Sequence, residues 1–369
     1  MSRYATYEGT GHYKTRFNNI LAQEHFREAN ELWMSTIGFG SYLGNNDDVT
    51  DTKYRDAVTS AVALGCNKID TAINYRFQRS ERSIGAALEI LFNEGKTSRD
   101  EVVIATKGGY IPFDGAPPRD IRAYLIEAFI RPGIAQTEDI VGGSHCITPG
   151  YIENQLECSL KNLRLQCIDI YYLHNPEEQL RQISGEEFHK RIRAAFELLE
   201  GKVSEGKIRM YGTATWSGYR QDKDSAGYLS LKEFVNIATE VAGEKHHFKV
   251  IQLPYNLAMP EALTVKNQSV GGEVASVLEA AQRLGITVIA SSSLLQRQLS
   301  SNLPNFIGEC LTGLETDAQR ALQFVRSTPG ITTALIGMSN IDHVKENMKV
   351  AQIPPASVEE FIRLFSHEG

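Results

Sequence analysis

Short apolar runs alternate with longer amphipathic segments along most of the chain. The apolar runs predict eight strands, at Trp33–Gly38, Asn67–Asp70, Val102–Thr106, Ile168–Leu173, Ile208–Thr213, Phe248–Leu253, Thr287–Ser291 and Thr332–Ile336. The amphipathic segments predict helices at Lys53–Leu64, Glu81–Phe92, Tyr151–Leu163, Glu186–Glu205, Leu231–Ala242, Glu273–Leu284, Asp317–Ser327 and Ile341–Val350. A strand followed by a helix, eight times over, predicts a single (β/α)8 barrel.

Capping residues place two helix starts more closely. Ser80 has the side chain expected of an N-cap before a helix that begins near Glu81. Pro149 follows Thr148 and suits the first turn of the next helix, because proline has no backbone N–H to leave unpaired.

Two segments interrupt the strand–helix alternation. Residues 1–30 precede the first strand, and we expect an N-terminal extension there, before a barrel domain at residues 31–369. The extension could close the bottom of the barrel or form an oligomer contact, and the sequence leaves both open. Residues 108–148 separate the third strand from its helix, far more than the two to six residues usual for such a connection. Because this insertion leaves the end of the barrel that carries the chemistry, we expect it to act as a lid.

Composition narrows the classes of partner. The 369 residues carry a net charge of −7, which argues against nucleic acid as the main partner. The five cysteines are odd in number and form no CxxC pair, so we expect reduced thiols. No secretory h-region and no run of 18 apolar residues is present, which predicts a cytoplasmic protein without a membrane partner. The sequence contains no HExxH motif and no Cys/His cluster, so it predicts no metal site.

Polar residues end three of the apolar runs. Asp70, Lys107 and His174 each lie at the C-terminal end of a predicted strand, and Tyr75 lies in the loop after Asp70. Each of them alone has an ordinary structural explanation, such as a cap, a solvated cation, a packed ring or a turn. In a parallel barrel, however, all strand C-termini open onto one face, so the four side chains should converge there.

Together these four groups suit proton transfer to a carbonyl oxygen. A tyrosine has a pKa of about 10, and a nearby ammonium is expected to lower it, towards the working pH of a general acid. Asp70 would be the counter-ion of Lys107. A neutral His174 would donate a hydrogen bond to the carbonyl oxygen and orient it.

The chain resembles the aldo-keto reductase superfamily from about Thr36 to about Val350. The resemblance is carried by IGFGSY at 37–42, IDTAINY at 69–75, ERSIGAAL at 81–88, ATKGG at 105–109, DIYYLHNPE at 169–177, LEGKVSEGKIRMYG at 199–212, QLPYNL at 252–257 and LIGMSNIDHVKEN at 335–347. It implies that Asp70, Tyr75, Lys107 and His174 form the family's catalytic tetrad. It also implies cofactor contacts at Gly40, Ser41, Thr215, Gln252, Ser291, Leu294, Gly337, Met338, Ser339, His343, Glu346 and Asn347.

The sequence departs from the family pattern around the nicotinamide. Ala214-Thr215 stand where the family usually has Ser-Asn, and Ser291 stands where a tyrosine usually stacks on the ring. Neither Ser339 nor His343 supplies the Arg or Lys that often binds the 2′-phosphate. We therefore expect the nicotinamide end of the cofactor to bind more weakly than is usual in the family. We also expect only modest discrimination between NADPH and NADH.

The resemblance implies an oxidoreductase that moves a hydride between a nicotinamide cofactor and a small carbonyl or alcohol substrate. NADP(H) is the expected cofactor, with NAD as the alternative, and Tyr42, Trp216 and the insertion are expected to line an apolar or sugar-binding pocket. Two other interpretations remain open, a cofactor-binding regulatory protein with weak catalysis and a barrel enzyme with divergent cofactor use. The sequence does not give the substrate or the oligomeric state.

Overall fold

Eight parallel strands close into a barrel in the computed structural model, which describes residues 2–365. The chain order gives the barrel strands β3 (Ile37–Gly40), β4 (Lys68–Asp70), β5 (Val103–Gly108), β6 (Ile168–His174), β7 (Ile208–Ala214), β8 (Phe248–Pro254), β11 (Thr287–Ser291) and β12 (Ile331–Gly337). Strands β1 (Phe26–Ala29), β2 (Leu32–Ser35), β9 (Lys266–Val270) and β10 (Glu273–Ser276) form two separate hairpins. The predicted barrel is confirmed, and all strand C-termini meet at one mouth.

Helices surround this barrel. They are α1 (Tyr7–Thr15), α2 (Asp48–Ala63), α3 (Arg79–Asn93), α4 (Ile121–Leu125), α5 (Pro149–Leu163), α6 (Gly185–Ser204), α7 (Leu231–Ala242), α8 (Glu261–Thr264), α9 (Val277–Arg283), α10 (Asn305–Cys310), α11 (Asp317–Ser327), α12 (Ile341–Met348) and α13 (Val358–Arg363). Helices α7 and α11 begin and end at the predicted residues. Pro149 occupies the first turn of α5, as expected from the sequence.

The first predicted strand is wrong in its extent. Residues 33–38 do not form one strand, because the chain leaves hairpin strand β2 at Ser35 and enters barrel strand β3 only at Ile37. At this break the Thr36 amide donates to the carbonyl of His25 at 2.7 Å, and the Ser35 hydroxyl donates to the carbonyl of Ile37 at 2.8 Å. The Thr36 carbonyl already accepts from the Ala334 amide of β12 at 2.8 Å, so the chain passes from hairpin to barrel at this residue, which an apolar pattern alone does not reveal.

The N-terminal segment closes the bottom of the barrel. Leu32 and Met34 of the hairpin, with Ala5, join the apolar cluster formed by inward-facing strand residues such as Ile170. The buried carboxylate of Asp169 accepts from the Ala5 amide at 2.7 Å and also pairs with Arg99 at 2.8 Å. Of the two roles left open for residues 1–30, these contacts favour the plug; the domain boundary at residue 31 stays a prediction, and the last four residues of the predicted barrel domain, 366–369, lie outside the described residues.

Two further predictions fail at helix starts. The predicted helix 273–284 begins only at Val277, because residues 273–276 pair with β9 and Ser276 then caps the helix together with Glu279. Ser80 is not an N-cap, since α3 begins at Arg79 and the Ser80 hydroxyl donates instead to the carbonyl of Ser41 at 2.8 Å.

The insertion 108–148 packs against the outer helices at the mouth. Phe113 lies 5.9 Å from Phe77 between ring centroids, and Phe129 lies 5.3 Å from Tyr151 on α5. Arg191 on α6 donates to the carbonyl of Asp139 at 3.1 Å. The insertion is thus anchored on several sides, and its action as a lid stays a prediction.

Within residues 2–365, no helix is long and apolar enough to cross a membrane, and no group of His, Cys, Asp or Glu could hold a metal ion. The five cysteines are free thiols.

Candidate active site

A buried ion pair joins the ends of β4 and β5. The Lys107 ammonium donates to Oδ1 of Asp70 and, at 2.8 Å, to the carbonyl of Thr71. The second carboxylate oxygen of Asp70 accepts from Nε2 of Gln252 at 2.8 Å. Both charged side chains are almost fully buried, so Asp70 is the counter-ion that keeps Lys107 charged away from water.

Tyr75 lies beside this ion pair, in the loop that follows β4. The Lys107 Nζ is 5.0 Å from the centroid of its ring, and the rings of Tyr42 and His174 are 5.0 and 5.9 Å away. Burial raises the pKa of Tyr75, and Lys107 offsets that rise only in part. The expected lowering of this pKa was therefore wrong, because desolvation of the phenolate outweighs the nearby cation. At neutral pH the phenol is protonated, as a general acid must be.

His174 ends β6, and its ring lies beside that of Tyr75. Burial lowers its pKa well below the ordinary value, and the charge of Lys107 lowers it further. The imidazole is therefore neutral at physiological pH and carries one N–H donor. Its ring lies 5.0 Å from the ring of Tyr110, the first aromatic residue of the insertion.

A cavity of about 470 Å³ opens at the barrel mouth above these side chains. This volume lies within the range of small-molecule sites. The predicted site residues that line it are Gly40, Ser41, Tyr42, Asp70, Tyr75, His174, Thr215, Trp216, Gln252, Ser291, Leu294, Gly337 and Ser339. Lys107 does not line the cavity but lies behind Asp70. The fold thus places most of the predicted site residues around this one cavity.

Buried polar atoms around the cavity have no protein partner. In the described part of the chain these include Thr215 Oγ1, Ser293 Oγ and Asn74 Oδ1. All three residues line the cavity. A nicotinamide carboxamide offers both a donor and an acceptor, so the hydroxyls of Thr215 and Ser293 suit it. The amide nitrogen of Gln252 is already bound to Asp70, which leaves its oxygen for such a contact.

Four predicted cofactor residues lie away from the cavity. Met338 is fully buried in the loop after β12, and His343 is exposed on α12. The carboxylate of Glu346 accepts from the hydroxyl of Thr316 at 2.8 Å, and Asn347 is buried. Their predicted contacts with the adenine end of a cofactor stay predictions.

Sequence reasoning missed Arg297, which lines the cavity from the loop after β11. Arg297 and its neighbours Leu295 and Gln296 have left-handed backbone, with φ of +79°, +43° and +51°. Arg297 is the one Lys or Arg among the residues that line the cavity in the described chain. The signal that could have indicated Arg297 was a basic residue in a loop that follows a barrel strand. Tyr110 and Asn74 also line the cavity and were also missed.

A protein-family comparison agrees with this geometry. The model described as the aldo/keto reductase family matches residues 36–304. The chain belongs to the aldo/keto reductase family. It is an NAD(P)-dependent oxidoreductase of that family, and its fold and cavity are those just described.

Related proteins match nearly end to end at low identity. A putative voltage-gated potassium channel subunit beta of Schizosaccharomyces pombe is 24% identical over 355 residues, covering 90% of this chain and 89% of that protein. The uncharacterized oxidoreductase YrpG of Bacillus subtilis is 23% identical over 349 residues, covering 87% of each. An aldo/keto reductase from Klebsiella pneumoniae, solved in complex with NADP and acetate, superposes with a TM-score of 0.62 at 21% identity, covering 93% of this chain and 94% of that one. The solved structure supports the fold.

Proposed function

We propose that the protein reduces a small carbonyl compound to an alcohol with a nicotinamide cofactor, and that Tyr75 is the general acid. The observation that supports this most is the convergence of Tyr75, His174 and the Asp70–Lys107 pair at one cavity. A phenol that can donate a proton, an imidazole that can donate a hydrogen bond and a buried ion pair meet there. Over a hundred residues of sequence separate Asp70 from His174.

The side chains have distinct roles in this proposal. The N–H of neutral His174 holds the carbonyl oxygen next to the phenol, and Tyr75 gives its proton to that oxygen. Lys107 then stabilises the phenolate that remains, while Asp70 keeps Lys107 charged and in place. The cofactor, when bound, supplies a hydride to the carbonyl carbon, so carbon gains the hydride and oxygen the proton.

The lining of the cavity also supports binding of a nicotinamide dinucleotide. We propose NADP(H), with Arg297 as the cation for the phosphate groups and Gly337 and Ser339 beside them. No lysine or arginine replaces Ser339, so NADH should bind almost as well. Thr215 and Ser293 would hold the carboxamide, and the small Ser291 leaves the nicotinamide without an aromatic partner.

The outer wall of the cavity suits a neutral substrate. Tyr42 is 55% exposed and Trp216 is 45% exposed, so both rings offer flat apolar surface at the mouth. Asn74 and Asn175 add uncharged amides. We propose an apolar or hydroxylated carbonyl compound as the substrate, and the cytoplasm, where free thiols persist, as the compartment.

A steady-state assay tests the proposal. Aliphatic, aromatic and sugar-derived aldehydes and ketones are incubated with NADPH and, separately, with NADH, and cofactor oxidation is followed. Turnover above the Tyr75→Phe background for at least one carbonyl is the expected result. Absence of binding of either cofactor at millimolar concentration would contradict the whole proposal.

Two observations favour a second function. Ser291 leaves the nicotinamide end without an aromatic stacking partner, and two relatives are described as a putative and a probable voltage-gated potassium channel subunit beta. A regulatory cofactor-binding protein with weak catalysis would bind NADPH but turn over the carbonyls of the panel only slowly. Measuring the cofactor Kd and kcat on one preparation separates the two functions.

A further inference from the structure

His145 lies near the end of the insertion and is almost fully buried, at 1% exposure. It does not line the cavity, and it has no part in the proposed proton transfer. Its ring nevertheless bridges the insertion and the catalytic strand β6. The Nε2 atom of His145 lies 2.7 Å from the backbone carbonyl oxygen of His174.

The hydrogen bonds determine which nitrogen of His145 carries the proton. A carbonyl oxygen can only accept, so Nε2 must donate to His174. The other nitrogen, Nδ1, lies 2.9 Å from Nε2 of Gln179, which donates to it and, at 3.2 Å, to the carbonyl of His145 itself. The amide oxygen of Gln179 accepts from Arg191 at 2.8 Å, which fixes the orientation of that amide. A chain of donors thus runs from Arg191 through Gln179 and His145 to His174.

Packing around the contact leaves little freedom. The ring of Tyr110 lies 5.0 Å from the rings of both His145 and His174, edge to face with each. The Tyr110 hydroxyl accepts from Asn175 at 3.0 Å. A Cβ atom on Gly109 would lie 2.8 Å from the His174 carbonyl oxygen and 2.9 Å from Nε2 of His145, and the φ of Gly109 is +147°. Only glycine at position 109 permits this close approach.

We propose that His145 is a positioning residue, which uses the hydrogen bond from its Nε2 to hold the backbone of His174, and with it the catalytic imidazole, in place. The inference rests on the proposed function for its kinetic consequences. The insertion then contributes to catalysis by orienting His174 through His145 and Tyr110, whether or not it also moves as a lid.

The reason is geometric. The ring of His174 has no protein hydrogen bond at Nδ1, so within the described residues no partner of that atom fixes the ring. Its orientation therefore depends on the backbone at the end of β6 and on the packing of Tyr110. A misplacement of about 1 Å can cost on the order of a hundredfold in rate. Loss of the His145 contact should therefore lower kcat without a matching change in cofactor affinity.

Three variants and one control test this role. His145→Phe keeps an aromatic ring but removes both hydrogen bonds. His145→Gln keeps a donor near the position of Nε2. Gly109→Ala leaves both histidines intact and drives them apart, and His189→Phe changes an exposed histidine on α6 as the control. Melting temperatures identify the variants that fold, and either His145→Phe or Gly109→Ala is sufficient for the comparison.

The expected result is a pattern across these variants. His145→Phe and Gly109→Ala should lower kcat roughly ten- to a hundredfold with cofactor Kd unchanged. His145→Gln should recover most of the loss, and His189→Phe should match wild type. Wild-type kcat in both His145→Phe and Gly109→Ala would overturn the proposal, as would equal losses in His145→Gln and His145→Phe.

A spectroscopic measurement decides the matter without turnover. Long-range ¹H–¹⁵N spectra of the histidine rings should show His145 protonated at Nε2 and not at Nδ1. The ring signals of His174 should shift in His145→Phe and Gly109→Ala but stay near wild type in His145→Gln. Protonation at Nδ1, or His174 signals that do not respond, would overturn the proposal. If no carbonyl is reduced at all, the proposed function fails, and these spectra still decide the role of His145.

Discussion

The ammonium of Lys107 lies 5.0 Å from the ring centre of Tyr75 while its ion pair with Asp70 holds it in the barrel. Two opposing effects therefore act on the phenol. Burial raises the pKa of Tyr75, and the cation lowers it by less. The result is a phenol that keeps its proton at neutral pH beside a cation that favours its phenolate.

Replacing Tyr75 by phenylalanine removes the hydroxyl that we propose as the proton donor and little else. We expect kcat for carbonyl reduction to fall by about 10²–10⁴-fold, the usual contribution of a general acid, with the cofactor Kd unchanged. Tyr42→Phe is the matched control, because that tyrosine lies 5.0 Å away in the same cavity. If Tyr75→Phe retains near-wild-type kcat, Tyr75 is not the acid.

Lys107→Met should affect both the reaction and the fold. Without the cation the pKa of Tyr75 rises further, so the alkaline limb of the pH–rate profile of reduction should move to higher pH while kcat falls. The variant also leaves Asp70 buried without its partner, at a cost of about 3–5 kcal/mol in the free energy of unfolding.

A double variant separates these two effects. Lys107→Met with Asp70→Asn removes the stranded charge, so urea denaturation should show stability recovered while kcat stays low. Recovery of kcat together with stability would mean that Lys107 is structural.

The sequence predicted that these side chains converge, because the fold alone determines where the ends of its strands lie. Asp70, Lys107 and His174 end parallel strands, and a closed barrel must bring such ends to one mouth. The (β/α)8 fold follows from the same alternation, whereas the hairpin at β1 and β2 does not. Its strand β2 is apolar like the barrel strands, and only its pairing partner distinguishes it.

Features that depend on tertiary contacts were not predictable. The pKa of Tyr75 depends on how deeply the ring is buried, and no motif reports that depth. Arg297 lines the cavity from a loop in which three consecutive residues adopt left-handed backbone, and no sequence pattern predicts that conformation. His145 is one histidine in a long insertion, and its contact with His174 becomes visible only when the insertion is placed against β6.

Arg297 should matter for cofactor binding. A charge-assisted hydrogen bond contributes about 1.5–3 kcal/mol, so Arg297→Met should weaken the Kd of NADPH and of NADH by roughly 10- to 150-fold. Because the effect acts on the cofactor, kcat at saturating cofactor should change little. Fluorescence titration with both cofactors and with nicotinamide mononucleotide measures it. Unchanged Kd values in Arg297→Met would place the guanidinium outside the cofactor site.

Ser291→Tyr should strengthen the binding of the nicotinamide end of the cofactor. An aromatic contact contributes about 0.5–1.5 kcal/mol beyond its buried area, which corresponds to roughly a two- to thirteenfold lower Kd for NADPH. The Kd of 2′-phospho-AMP, which has no nicotinamide, should not change and is the control. Ser291→Ala should bind like wild type. Equal tightening of both ligands by Ser291→Tyr would mean that residue 291 does not face the nicotinamide.

Acid should destabilise the fold through a histidine far from the site. Burial lowers the pKa of His25 to about 3, and the cation of Arg326 contributes. In the folded protein the ring is neutral, with Nε2 donating to the carbonyl of Gly65 at 3.0 Å and Nδ1 accepting from the hydroxyl of Thr36 at 3.1 Å. In the unfolded chain the same ring has a pKa of about 6.5.

The sign of the effect follows from proton uptake. Between about pH 6.5 and pH 3 the unfolded chain binds a proton at His25 and the folded protein does not, so stability is full above this range and falls as pH decreases. One proton corresponds to a slope of about 1.4 kcal/mol per pH unit in the free energy of unfolding. Urea denaturation at pH 7, 6 and 5 measures this slope. His25→Gln keeps a donor for Gly65 but cannot titrate. Its stability should therefore fall less steeply with decreasing pH than that of wild type, by up to this amount. Parallel curves would show that the pKa of His25 is not lowered in the folded protein.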